Sequence, residues 1–191
     1  MVSEGGAGTM KDQELFDFLI AEADHPFAGW DFSYVTLTGR MVEAPLSWSY
    51  ASKLLMPVRK AQSLLDIDTG GGEYLSALQP LPPLTCATES YVPNISVARE
   101  RLAPLGVKVY EINDSHSLPF EDNQFDLIIN RHGYYSVKEV LRILKPGHQL
   151  ITQQVGGANY AELNELLGAE KYMYVHWTLD YAVRELEAAE W

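Results

Sequence analysis

Apolar residues recur at helical spacing over the first sixty positions, and from residue 63 onward they gather into short runs separated by helical patterns. Leu15, Phe16, Phe18 and Leu19 share one face of a helix predicted over 13–23, and a second helical pattern spans 49–60. Between them, 25–45 mixes Gly, Pro and aromatic residues without a sustained period. Residues 1–12 are polar and Gly-rich and predict disorder. The segment 13–62 therefore reads as an N-terminal helical lid ahead of the core.

Beyond it the two periods alternate. SLLDI is a short apolar strand, GEYLSAL a short helix, PLTCATE a second strand and NISVARERLAPLG a longer helix ending at Gly106. VKVYEI and FDLIIN follow as strands, then SVKEVLRIL as a helix opened by a Ser136/Glu139 capping box, then QLITQQ as a fifth strand. Strands separated mostly by helices imply a parallel sheet with helices on both faces, because right-handed crossovers place them there. Ligands of such sheets bind at the carboxyl ends of the strands, near the point where strand order reverses, so residues just after each strand carry the functional information.

The first such turn reads Asp66-Ile67-Asp68-Thr69-Gly70-Gly71-Gly72-Glu73. Glycines here permit positive φ and close approach of a ligand to the backbone. A nicotinamide-type turn requires G-x-G-x-x-G, but counting from Gly70 and Gly72 the third position is Leu75, and carboxylates stand where a pyrophosphate would lie. A P-loop is excluded because no Lys-Ser or Lys-Thr pair follows the glycines. A ligand with an ammonium and a sulfonium but no phosphate suits this turn better.

LLDIDTGGGEYL resembles the first motif of the class I S-adenosylmethionine-dependent methyltransferase family, an acidic residue followed by a glycine-rich turn. The resemblance runs from about residue 26 to 191 and includes LPFEDNQFDLIIN and LRILKPGHQLIT. It implies a three-layer, Rossmann-like α/β fold over 63–191 and S-adenosylmethionine as cofactor. Asp66 would lie near the methionine moiety, with Asp68, Gly70 and Gly72 beside the ligand. Asp68 departs from the pattern, which most often has glycine there. Glu89 ends the second strand about 20 residues past the glycines, the spacing at which a carboxylate accepts hydrogen bonds from both ribose hydroxyls. Asp114 and Ser115 match the family's adenine-binding loop, and Asn130 ends the fourth strand beside the cofactor site.

Methyl transfer from a sulfonium is an in-line displacement, so positioning alone supplies much of the rate. His132 is a candidate general base for an oxygen or nitrogen acceptor. Trp48, Tyr50, Tyr134 and Tyr135 are candidates for an aromatic wall against the acceptor. Asn130-Arg131-His132-Gly133-Tyr134-Tyr135 is not the Asn-Pro-Pro-Tyr loop of many amide and adenine amino methylases, so the acceptor is expected to be another small molecule. The alternative is a cofactor-binding module, or a fragment, without turnover.

Composition adds limits. The chain has 191 residues, of which 47% are hydrophobic and 21% charged, which suits one globular domain. Lys and Arg number 14 against 26 acidic residues, and the resulting formal charge of −12 disfavours bulk nucleic-acid binding. No apolar run suggests a membrane span or a secretory leader, so the cytoplasm is the expected location. Cys86 stands alone, and His116, His148 and His176 show no ligand spacing with it, so no metal is expected. Because the family usually closes its sheet with two further strands after a helix such as LDYAVRELEAAE, the sheet here is expected to lack strands 6 and 7. QLITQQ would then form an edge open to homodimerisation.

Overall fold

The computed structural model describes residues 11–26, 31–170 and 173–189. Of the disorder expected over 1–12, residues 1–10 lie outside these, and Asp12 is corrected to the first residue of a helix whose N-cap is Lys11. Three helices come first: α1 (Asp12–Ala23), the single turn α2 (Ser33–Thr36) and α3 (Tyr50–Lys60). Ser49 caps α3 by accepting the Ser52 N–H at 3.3 Å, which fixes where the helix begins.

Five strands follow: β1 (Ser63–Ile67), β2 (Leu84–Glu89), β3 (Lys108–Glu111), β4 (Phe125–Arg131) and β5 (Leu144–Gln153). All pairings are parallel and the order is β3-β2-β1-β4-β5. The sheet is thus the parallel one expected from the alternating pattern, with β1 central and every one of its residues buried. The reversal of order falls between β1 and β4, which opens a crevice there. β5 lies at the edge of the sheet.

Helices cover both faces. On one, Leu54 and Val58 of α3, Leu75 of α4 (Glu73–Ala77) and Ala98 and Leu102 of α5 (Val92–Leu102) pack on Leu64, Ala87, Leu127 and Ile129. On the other, Val140 and Ile143 of α6 (Val137–Ile143), with Ile112, Leu118 and Phe120 of the loop before β4, pack on Leu65, Ile67, Cys86 and Ile128. The period-2 alternation of β1 and β4 divides these apolar residues between the two cores. Two helices, α7 (Ala161–Leu166) and α8 (Leu179–Ala188), follow the sheet.

The structure corrects several local expectations. α5 begins at Val92 rather than Asn94, since Pro93 suits a first-turn position. β5 starts at Leu144, so the Lys-Pro-Gly turn belongs to the strand, where the β4–β5 register is irregular. Ser136 does cap α6, but the reciprocal half of the capping box is absent. Glu139 Oε1 instead accepts the Leu118 N–H at 2.8 Å and pairs with Arg142. A long-range partner has displaced the local one.

At the end of the sheet away from the crevice, Asp126 Oδ2 accepts the N–H groups of Gln62 (2.7 Å) and Ser63 (3.1 Å), while Lys145 Nζ donates to Oδ1 at 2.6 Å. Burial alone would raise this carboxyl, but these partners hold it down at about 2.

Candidate functional site

The carboxyl ends of β1 and β4 are built from unusual backbone. Asp68 (φ 54°) and His132 (φ 64°) both adopt the left-handed region that favours glycine, one on each side of the crevice. The two turns touch. A Cβ on Gly133 would lie 2.5 Å from the Asp68 Cβ, so residue 133 must be glycine for the Asp68 side chain to pass. Asp68 Oδ1 also accepts the Ser90 hydroxyl at 3.3 Å, and a bond from the Tyr134 N–H helps to hold it ionised. The residue standing in a glycine position therefore ties β1 to the ends of β2 and β4.

Beside this tie lies a cavity of about 220 Å³, lined by Tyr50 from α3, Asp66, Asp68 and Thr69 from the β1 turn, Glu73, Tyr74 and Ala77 from α4, and Ile129 and Arg131 from β4. Its charges are crowded. Burial pushes Asp66 up to about 7, opposed by the Thr69 hydroxyl that donates to it at 2.7 Å and reinforced by the charges of Asp68 and Glu89. Burial and the Glu89 charge push Asp68 up to about 6. Glu73 Oε1 pairs with Arg101 at 2.7 Å, while its Oε2 is buried without a hydrogen-bond partner among the described residues. That group lacks a donor that a cationic ligand could supply.

The remaining predicted residues spread along the rim. Glu89 is buried at the end of β2, and its Oε1 accepts the N–H groups of Ser90 (2.9 Å) and Tyr91 (2.7 Å), which fixes the carboxylate at that strand end. Asp114 is exposed and forms a turn in which Oδ1 accepts the His116 N–H at 2.8 Å, with Ser115 half-buried beside it. Tyr134 is exposed, and its hydroxyl lies 3.2 Å from His116 Nε2. His132 is half-buried, its N–H donates to Gln153 O at 2.8 Å, and burial followed by the Arg131 charge lowers its ring below the ordinary histidine value. It does not line the cavity.

Four of the expected residues do not line the cavity. Asn130 is fully buried, donates to Ile67 O and accepts from Thr152 and Gln154, so its amide joins β1, β4 and β5 rather than facing a ligand. Tyr135 belongs to the core beneath α6 and offers no wall to an acceptor. Trp48 is exposed and does not line the cavity. Gly72, with φ 78°, serves helix packing: a Cβ there would lie 2.7 Å from Leu102 of α5. Gly70 has φ 65° in the same turn. Tyr50 does line the cavity, and its hydroxyl donates to the carbonyls of Asn130 (3.0 Å) and Ile151 (2.9 Å).

Arg131 was missed. Alternation along β4 places it on the same face as Leu127 and Ile129, and that period was the available signal. No group of three or more potential metal ligands occurs among the described residues.

Comparison with known proteins adds a family context. A family model described as a methyltransferase domain matches residues 65–152. A malonyl-[acyl-carrier protein] O-methyltransferase of Marinomonas sp. (strain MWYL1) is 25% identical over 132 residues, covering 64% of this chain and 49% of that protein. A ubiquinone/menaquinone biosynthesis C-methyltransferase of Haemophilus ducreyi is 28% identical over 123 residues, covering 57% and 47%. The chain thus spans about half the length of these curated relatives. A solved SAM-dependent methyltransferase from Thermotoga maritima superposes with a TM-score of 0.56 at 20% identity, covering 92% of this chain and 78% of that one. This last likeness concerns the fold.

Proposed function

Since the chain belongs to the class I S-adenosylmethionine-dependent methyltransferase family, we propose that it binds S-adenosylmethionine across the β1–β4 crevice and transfers the methyl group to a small-molecule acceptor. The observation that carries this reading is the donor set of the cavity. Asp66, Asp68 and the orphaned Glu73 Oε2 suit an ammonium, and Arg131 suits a carboxylate. An amino-acid end presents both charges, while a phosphate would meet carboxylates. Glu89, anchored at the end of β2, takes the ribose hydroxyls, and the Asp114–Ser115 turn takes the adenine edge. The two curated relatives described above are named for methylating oxygen and carbon, so their names fix no single acceptor atom.

When bound, the cofactor supplies an electrophilic methyl on a sulfonium. The protein's contribution is to orient it and to keep water from the reacting end, because positioning can supply roughly 7 to 11 kcal/mol of a barrier. His132, whose ring is lowered below the ordinary histidine value by burial and then by the Arg131 charge, is the candidate to accept the proton of an oxygen or nitrogen acceptor, from beside the cavity rather than within its lining. Calorimetry with S-adenosylmethionine, followed by mass detection of products after incubation with a metabolite extract and labelled methyl donor, tests the reading. Binding with turnover is expected. Tight binding without product in any extract would favour a cofactor-binding module, and no binding would overturn the proposal.

A further inference from the structure

The two edges of the sheet are finished differently. β3 is four residues long, begins and ends on charge at Lys108 and Glu111, and has Glu111 paired with Arg99 at 3.7 Å. A short, charged strand discourages further pairing. β5 is ten residues long, and 149–155 carries no charged residue. Leu150 and Ile151 are only half-buried there, whereas Ile128 and Ile129 beside them on β4 are buried. The described residues after β5 form α7 and α8, neither of which has a buried residue, and no further strand.

The ladder decides which backbone groups are left over. The Gln153 carbonyl accepts the His132 N–H at 2.8 Å, so Gln153 turns its backbone groups toward β4, and Ile151 and Gln149 do the same at alternate positions. Leu150 and Thr152 therefore turn theirs to the open side, where neither has a backbone hydrogen-bond partner among the described residues.

The sequence of this edge suits a copy of itself. In antiparallel pairing about a two-fold axis at Ile151, Ile151 meets the partner's Ile151, Leu150 meets the partner's Thr152, and Gln149 meets the partner's Gln153. Each Leu150–Thr152 pair then exchanges two N–H···O=C bonds, which uses the outward groups of both strands. Lys145 and His148 fall opposite the partner's Gly157 and Gln154, so no like charges meet. Ile151 packs toward the α3 side of the sheet, so the two isoleucines meet on one face. Such neutrality matters in a chain with a formal charge of −12, because two copies repel at long range and approach only through an uncharged patch.

We infer that β5 is the interface through which two copies of this chain pair, edge to edge and antiparallel about Ile151, joining their sheets into one. A two-fold interface must complement itself, a condition that a strand from a different protein would not impose and that 149–153 meets.

Sedimentation velocity on the full chain between about 1 and 100 µM is expected to show a concentration-dependent dimer, tightened as salt screens the like net charge. Ile151→Lys sets two ammoniums face to face across the axis and should weaken that dimer about tenfold or more. Monomer throughout, or a dimer that Ile151→Lys leaves unchanged, overturns the inference. The register is read by disulfides in a Cys86→Ala background. Opposed residues of a non-hydrogen-bonded pair have Cα atoms about 4.5 Å apart, within disulfide range, so Ile151→Cys should cross-link two copies on mild oxidation. Leu150→Cys and Thr152→Cys, each two positions out of step with its own copy, should not. Equal cross-linking at either of these, or at Leu166→Cys on the exposed face of α7, overturns the pairing about Ile151. A thermal melt of each variant separates misfolding from lost pairing, and the cysteine series carries the test if Ile151→Lys does not fold.

Discussion

The two ends of the crevice solve different problems. At the end between β1, α3 and α4, charges are buried or half-buried, crowded and incompletely paired, and two backbone positions are left-handed. At the other end Glu89 is satisfied by its own chain, and Asp114 stands in solvent on a self-contained turn. The first end is under electrostatic tension, to which the Glu89 charge contributes, whereas the groups of the second have their own backbone partners. Buried like charges raise each other's pKa and disfavour the ionised protein, so a ligand that neutralises them gains affinity from relief as well as from contact. The second end gains only the contacts it makes.

The largest expected effect lies at the second end, at its one buried member. Glu89→Ala removes the proposed ribose acceptor and leaves the Ser90 and Tyr91 N–H groups without their carboxylate, so affinity for S-adenosylmethionine should fall by about tenfold to a hundredfold. Unchanged affinity in calorimetry would remove Glu89 from the site.

Acidity separates the ends more sharply. Because Asp66 and Asp68 titrate at about 7 and about 6, above their ordinary value of 3.8, the folded protein binds more protons than the unfolded chain between about pH 4 and 7. Their contribution to stability is therefore fully present below pH 4 and is lost as pH rises through 6 and 7. A ligand ammonium reverses the preference. S-adenosylmethionine should bind about tenfold more tightly at pH 7.5 than at pH 5.5, while 5′-methylthioadenosine should show little change. Parallel pH profiles for the two ligands would break the contrast between the ends.

Asp68→Gly tests the tension directly. It removes a half-buried carboxylate and a non-glycine residue at φ 54°, at the cost of the Ser90 and Tyr134 bonds. We expect the ligand-free protein to gain about 1 kcal/mol at pH 8, visible as a Tm higher by about 2–4 °C, and to gain less at pH 5. A lower Tm at pH 8 would show that the tie across the crevice outweighs the strain. The smallest effect is expected at the open turn: Asp114→Ala should weaken the cofactor less than about tenfold, since an exposed carboxylate competes with water for its bond.

The sheet was legible because its signal is periodic. SLLDI, PLTCATE and FDLIIN are short apolar runs bounded by turns, and each became a strand within a residue or two of its predicted ends. Glu89 was legible for the same reason, as a carboxylate at a strand terminus. Residues whose meaning depends on a distant partner were not. Asn130 read as a ligand contact because nothing local announces Thr152 and Gln154, and Glu139 read as a cap because Leu118 and its N–H lie 21 positions away. Tyr135 is aromatic whether it faces a pocket or a core, and only the packing of α6 decides. Gly72 answers to Leu102, on the next helix.

The clamp at Asp126 has a consequence for the order in which the chain can be secured during synthesis. β1 emerges early, but the carboxylate that ties Gln62 and Ser63 comes with β4, and the ammonium that holds that carboxylate comes with Lys145. Until then β1 has only β2 as a neighbour, and its buried apolar residues lack a second flank. Contacts of such sequence separation form slowly and leave strands exposed in the meantime. The strand that carries the glycine turn is among the first to leave the ribosome and among the last to be locked in place.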